Sequence, residues 1–300
     1  AGEAATTLDL RSASSHPNPS IVSQLTYGGL TGSTSAINAT ISGSTLTLQS
    51  PFGTQPGTTA TIAFDVTYAE FTVPGQVEVV VVPSTRPLAQ TVDDVEPEGR
   101  SSSTYTISPL VNDFNPFAAD GQPLRIVGAV LEGDGLGATV SNTASAVTVR
   151  TGTAKSGTIS VIYTVRDATD TASREVQGRI TVVVASAPEP VTGIALANPG
   201  SETVTVVFDP PVSSNGAEIT QYSVQMSGSP GTQTRTDCVP GAVCQFTGRS
   251  NGSVQTVSVS ATNRVGATVS STRTIVPYGT PSAPPSASAS NGSPGAGNVH

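Results

Sequence analysis

Residues 75–83 read GQVEVVVVP, residues 178–186 read GRITVVVAS and residues 271–277 read STRTIVP. Each is rich in β-branched residues, has few polar interruptions, and ends at a proline or serine. Each therefore reads as the closing strand of one β domain.

Spaced roughly 100 residues apart in a chain of 300, these strands divide it into three domains of ordinary size. Expected bounds are 1–85, 86–186 and 187–280, with 281–300 as a linker or the start of a further unit. The composition agrees with an all-β chain. Aromatic residues make up 4% and charged residues 11%, Trp is absent, and Thr, Ser, Val and Gly abound. No Ala/Leu/Glu/Lys stretch is long enough to build a helix.

The first two domains repeat each other. Ala39-Thr40-Ile41-Ser42 and Thr45-Leu46-Thr47-Leu48 return as Ala138-Thr139-Val140-Ser141 and Ala146-Val147-Thr148-Val149. Ile62-Ala63-Phe64-Asp65-Val66 returns as Val161-Ile162-Tyr163-Thr164-Val165. These segments alternate apolar and polar residues, which places the apolar side chains on one face of a strand. Two sheets with those faces inward make a sandwich. Its cores are expected to hold Val, Ile and Leu, helped by Phe64, Tyr68, Phe71, Tyr105 and Tyr163.

In the same alignment Ser15-His16-Pro17-Asn18-Pro19 falls on Asn112-Asp113-Phe114-Asn115-Pro116. The second domain then has a leading segment, Pro87 to Gly99, for which the first has almost no counterpart. The chain is thus expected to begin inside or just before the first domain of a longer protein.

The third domain is a different unit, with strands expected at Thr203–Phe208, Thr220–Met226, Val243–Thr247, Val254–Thr262 and Thr268–Pro277. Thr203 to Pro211 followed by Asn215 to Val224 resembles the B and C strands of a fibronectin type III domain. Val257-Ser258-Val259-Ser260-Ala261-Thr262-Asn263-Arg264-Val265-Gly266 is similar to its F strand and F–G turn. The resemblance covers about 187–279. Phe208 stands where the family has Trp, and Gln255 where it has the F-strand Tyr, which implies a smaller core without a tyrosine corner. Leu110-Val111-Asn112-Asp113-Phe114-Asn115-Pro116 and Tyr163-Thr164-Val165-Arg166-Asp167 resemble the tandem Ig-like or cadherin-like modules of large actinobacterial-type secreted or cell-surface proteins. Ala283-Pro284-Pro285 echoes Ala187-Pro188-Glu189-Pro190 and suggests another type III domain beginning there.

Cys238 and Cys244 flank a Pro240-Gly241 turn, so they can face each other near a hairpin base and form a disulfide. The type III resemblance implies a Cys pair in the same place. A disulfide argues for an oxidising, extracellular compartment. A metal site there would need further ligands, and the only histidines are His16 and His300.

The acidic run Asp93, Asp94, Glu96 and Glu98 lies at the first joint, while Asn112, Asp113 and Asp167 lie in turns of the second domain. Gathered together, Asp93, Asp94, Asn112, Asp113 and Asp167 could supply oxygen ligands to a structural calcium ion. The alternative is that they are solvated turn residues. Asn115 stands where an acidic residue would help, and the first domain has Ser15 and His16 in the matching places.

No histidine is placed to serve a nucleophile, and without Trp there is little to line a sugar cleft, so no catalytic residues are assigned. A net charge of −8 with no Lys/Arg cluster argues against nucleic acid. No apolar run is long enough to cross a membrane, and the N-terminus does not read as a signal peptide. The leading expectation is a monomeric spacer or adhesion segment, with other domains of the same chain as its partners and three such domains spanning about 100 Å. The alternatives are a module binding a surface protein or cell-wall polysaccharide through Tyr222, Arg249 and Arg264, or accessory domains of a polysaccharide hydrolase.

Overall fold

A computed structural model describes residues 2–281 and 283. The chain is an all-β array of sandwiches divided into two compact units, 1–184 and 185–300. The first unit contains two cores and the second one.

The first sandwich is built from β1 (Thr6–Asp9), β2 (Thr26–Thr31), β3 (Asn38–Ser42), β4 (Thr45–Gln49), β5 (Thr59–Tyr68) and β6 (Phe71–Val80). One sheet has the order β1-β4-β3 and the other β2-β5-β6. Alternation places Ile62 and Phe64 of β5 inward against Leu46 of β4. Two single-turn helices, α1 (Leu10–Ala13) and α2 (Pro19–Val22), interrupt the β pattern. Each is started by a side-chain cap, Asp9 accepting from the Arg11 N–H and Asn18 from the Ser20 N–H. Phe71 departs from its expected place in the core and is 77% exposed. It pairs with Tyr68 at the tip of the β5–β6 hairpin, the last rung of that ladder.

The second sandwich adds one strand. It comprises β7 (Asp94–Arg100), β8 (Thr104–Ile107), β9 (Arg125–Glu132), β10 (Thr139–Asn142), β11 (Val147–Arg150), β12 (Gly157–Arg166) and β13 (Val176–Ala185). Its sheets run β10-β11-β8 and β7-β13-β12-β9. The repeat pairs β1 with β8, β2 with β9 and so on through β6 with β13, leaving β7 without a counterpart. One shared detail fixes the register: Phe64 faces Gly75, and Tyr163 faces Gly178. A Cβ on Gly75 would stand 2.6 Å from the Phe64 ring and one on Gly178 2.3 Å from the Tyr163 ring, so each ring requires its glycine.

The second unit has β14 (Thr192–Gly200), β15 (Thr203–Asp209), β16 (Ile219–Ser227), β17 (Gln233–Arg235), β18 (Cys244–Thr247), β19 (Gln255–Asn263), β20 (Ala267–Val269) and β21 (Arg273–Ile275). A three-stranded sheet, β14-β15-β18, faces a second sheet built on β17-β16-β19-β20. The closing strand expected at 268–277 is broken. Ser270 turns inward, its backbone N–H bonding Val259 O and its hydroxyl accepting from the Val259 N–H. The chain then rejoins β19 as β21. The further type III start, from Pro284 onward, lies outside the described residues.

Candidate functional site: the joint between the first two sandwiches

The joint is the segment Pro83-Ser84-Thr85-Arg86-Pro87, within the first compact unit. At its centre lies Phe117, fully buried. The ring of Phe52, from the first sandwich, meets it edge-on with centroids 5.8 Å apart. The Arg86 guanidinium lies 4.6 Å above the same ring, and that of Arg174 lies 5.9 Å away. A buried ring between two cations gains a cation–π attraction in addition to its burial.

The two arginines fasten the connecting segment to the second sandwich. Arg86 Nη1 donates to Pro116 O at 3.1 Å and pairs with the Asp120 carboxylate. Arg174 Nη1 donates to Arg86 O at 3.0 Å and Nη2 to Pro87 O at 2.7 Å. Its Nε donates at 2.9 Å to Asp167, a side chain buried to 1% exposure. Asp167 Oδ1 also accepts from the Thr169 N–H and hydroxyl. From the first sandwich, Gln55 Nε2 donates to Asp170 O at 3.2 Å, and Ser84 donates to Glu3. Asp170 also holds Arg125 and Arg166, and those guanidinium donors keep its carboxyl below the usual range. A cleft of about 350 Å³ beside the joint is lined by Gln55, Pro83, Ser84, Thr169 and Arg174 among others.

Asp167 is therefore not gathered with the other acidic residues but is the buried counter-ion of Arg174. The rest form a separate group. Asn112 Nδ2 donates to Asp94 Oδ1 at 3.2 Å, while Asp113 Oδ1 accepts from the Val92 N–H at 2.8 Å and from the Tyr163 hydroxyl. Asp94 Oδ2 is buried without a partner. Desolvation raises the Asp94 carboxyl, with the neighbouring charges of Asp113 and Asp93 adding to it, and desolvation likewise raises Asp113. Among the described residues, no group of three or more His, Cys, Asp or Glu is arranged to hold a metal ion.

In the second unit Cys238 and Cys244 form a disulfide, with Cα atoms 5.4 Å apart. Tyr222 is half-buried, its ring tilted against Phe208 at 5.5 Å. Arg264 is exposed in the turn before Gly266. Arg249 corrects the expectation of a loop contact, because it is wholly buried. Its Nε donates to Gln255 Oε1 at 2.9 Å and its Nη2 to Gly231 O at 2.7 Å. Gln255 Nε2 in turn donates to Ser229 O at 3.0 Å. The two polar side chains occupy the region where a tyrosine corner is missing.

The sequence reading missed Phe52, Phe117, Arg86 and Arg174. The visible signal was the scarcity of aromatics, which makes any Phe beside a domain joint informative.

No family model matches the chain, and no curated protein does. Among solved structures, domains A168–A170 of titin are similar, at 13% identity over 85% of this chain and 88% of that one, with a TM-score of 0.40. The sixth fibronectin type III domain of human fibronectin type III domain containing protein 3 matches at 24% identity over 34% of this chain and 96% of that one, with a TM-score of 0.28. The type III domain of the human collagen alpha-1(XX) chain matches at 21% over 34% and 96%, also at 0.28. At such scores these likenesses carry no argument, and the fold stands on its own sheets and cores.

Proposed function

We propose that the chain is a non-catalytic spacer and adhesion segment of a large secreted or cell-surface bacterial protein, with domains at 1–85, 86–186 and 187–280. The observation that supports this is the construction of the first joint. Phe117 is buried against Phe52 of the first sandwich, Gln55 of the first sandwich donates to Asp170 O, and two backbone carbonyls of the connecting segment, Arg86 and Pro87, accept from Arg174. A flexible linker needs none of this, whereas a spacer that transmits position does. The disulfide suits the extracellular setting.

The test is backbone NMR relaxation on the labelled chain. Residues of the first two sandwiches should report one shared rotational correlation time, and two separate times would overturn the spacer reading. For the acidic turns the geometry favours solvated and hydrogen-bonded loops over a calcium site. Equal melting midpoints with calcium and with chelator are expected, and a calcium-dependent rise would reverse that assignment.

A second reading, recognition of a protein or cell-wall polysaccharide, draws on Val239 and Val243, which are 56% and 68% exposed inside the disulfide loop. Saturable co-sedimentation with insoluble cell walls would favour it over the spacer.

A further inference from the structure

The chain contains three Asn-Gly steps, Asn215-Gly216, Asn251-Gly252 and Asn291-Gly292, the last outside the described residues. At such a step the side-chain amide is open to attack by the next backbone nitrogen, because Gly puts no side chain in the way. The first two lie in turns of the second unit, and the fold treats them differently.

Asn215 is closed off, at 5% exposure. Its Nδ2 donates to Ala187 O at 2.6 Å, its own carbonyl accepts from the Ser186 N–H at 3.0 Å, and its N–H donates to the Ser213 hydroxyl. Water therefore has little access to its amide.

Asn251 is exposed, and so is Gly252. Its Oδ1 accepts from the Glu202 N–H at 3.0 Å, and its Nδ2 donates to Ser201 Oγ at 2.8 Å. Both contacts suit the loss of ammonia. The Glu202 N–H is a donor for the negative charge that develops on Oδ1 during attack, and the Ser201 hydroxyl lies on the leaving nitrogen, where it can pass on a proton. The nucleophile is the restrained partner, since the Gly252 N–H donates to Pro277 O at 2.8 Å. Attack requires this bond to open. Pro277 is buried, but Val276 and Tyr278 on either side of it are exposed, and Asn198 Nδ2 holds Tyr278 O at 3.0 Å. Local opening of the 277–278 segment thus gates the reaction.

We propose that Asn251 is a self-modification site. The Gly252 nitrogen gives its proton to water and attacks Asn251 Cγ. The new C–N bond closes a cyclic imide as the Cγ–Nδ2 bond breaks, and the leaving nitrogen takes a proton through Ser201 and departs as ammonia. Water then adds to either imide carbonyl and opens the ring to Asp or to its β-linked isomer, so the sum is amide and water to acid and ammonia. The Asp product keeps the acceptor for the Glu202 N–H. The β-linked product adds a methylene to the backbone, which moves the Gly252 N–H off Pro277 O and frees the segment after β21. The step is a slow, one-way change at the end of the second unit.

The test is peptide mapping by mass spectrometry of the full chain, incubated at neutral to mildly alkaline pH and sampled over time. Synthetic peptides of residues 211–220 and 247–256 give the rates of the two steps without the fold. In the native chain Asn251 should convert at least about tenfold faster than Asn215, although the two peptides react alike. Asn198→Ala, which releases Tyr278 O, should raise the Asn251 rate severalfold and leave Asn215 unchanged, while Ser201→Ala should lower it. Comparable conversion of both steps in the native chain would overturn the proposal, as would an intact Asn251 throughout an incubation in which its peptide converts. An Asn251 rate that neither variant alters would overturn the assigned path, because the fold would then play no part in it.

Discussion

Arg249 and Gln255 form a buried polar pair whose cost depends on which partner is removed. Desolvation pulls the Arg249 pKa down; Gln255 Oε1 and Gly231 O accept from its Nε and Nη2, while Nη1 is buried without a hydrogen-bond partner. Gln255→Ala is expected to cost about 3 kcal/mol or more, since it strands a buried charge. Arg249→Met should cost roughly 1–3 kcal/mol, because it removes the donor from two neutral acceptors, Gln255 Oε1 and Gly231 O, and leaves no buried charge. Urea unfolding followed by a probe in the second unit measures both, and the reverse order would contradict this account. Tyr163 is a smaller case. Its hydroxyl bonds Asp113, whereas the first sandwich uses Phe64 at the matching place, so Tyr163→Phe should cost only about 1 kcal/mol. Asp94 adds a pH dependence. Its folded pKa is raised, so the native state holds the proton to higher pH than the unfolded chain does, and its effect on stability is most favourable below the ordinary carboxylate range. That advantage is lost as pH rises through the window just above the ordinary value. Asp94→Asn should therefore stabilise by about 0.5–1 kcal/mol near pH 7 and by less near pH 4, measured as melting midpoints at each pH.

Among the elements, the Cys238–Cys244 hairpin and the broken closing strand of the second unit illustrate two kinds of constraint. The disulfide closes a short loop, and both sulfurs belong to the core with Val206, Phe208 and Phe246. Reduction, or paired Cys→Ser substitution, should lower stability by roughly 2 kcal/mol on the chain-entropy argument, read as a shift in urea midpoint. At β20 and β21 the alternation of Thr268 to Pro277 reads as one strand, yet Ser270 bonds both backbone groups of Val259 and divides it. A serine that satisfies backbone groups in place of the ladder is indistinguishable in sequence from one on a strand surface. The β6 and β13 edges teach the same lesson: similar valine runs differ in burial, and among the described residues only β13 has a strand on its outer edge.

For the first compact unit as a whole, the joint sets behaviour more than the prolines of its linker do. Prolines limit φ locally, but the Phe52–Phe117 contact and the Gln55–Asp170 hydrogen bond join the two sandwiches, while Arg174 holds the connecting segment to the second. Phe117→Ala should destabilise the unit by about 3–5 kcal/mol as a buried Phe lost from packing. It should also allow the two sandwiches to tumble with separate correlation times. Shared tumbling in a folded Phe117→Ala chain would show that the hydrogen bonds alone hold the joint.

The sequence alone determined that the chain is all β, that two sandwiches repeat, that a type III-like unit follows and that two cysteines lie within bonding reach. These follow from alternation, β-branched content and local spacing, which are short-range properties. Tertiary structure decided what the long side chains do. Asp167 resembled its neighbours in the acidic turns until folding placed Arg174 beside it, and Arg249 resembled a surface residue until Gln255 was found opposite. The partner of a charged side chain, or of a strand edge, comes from residues distant in sequence, and only packing selects it.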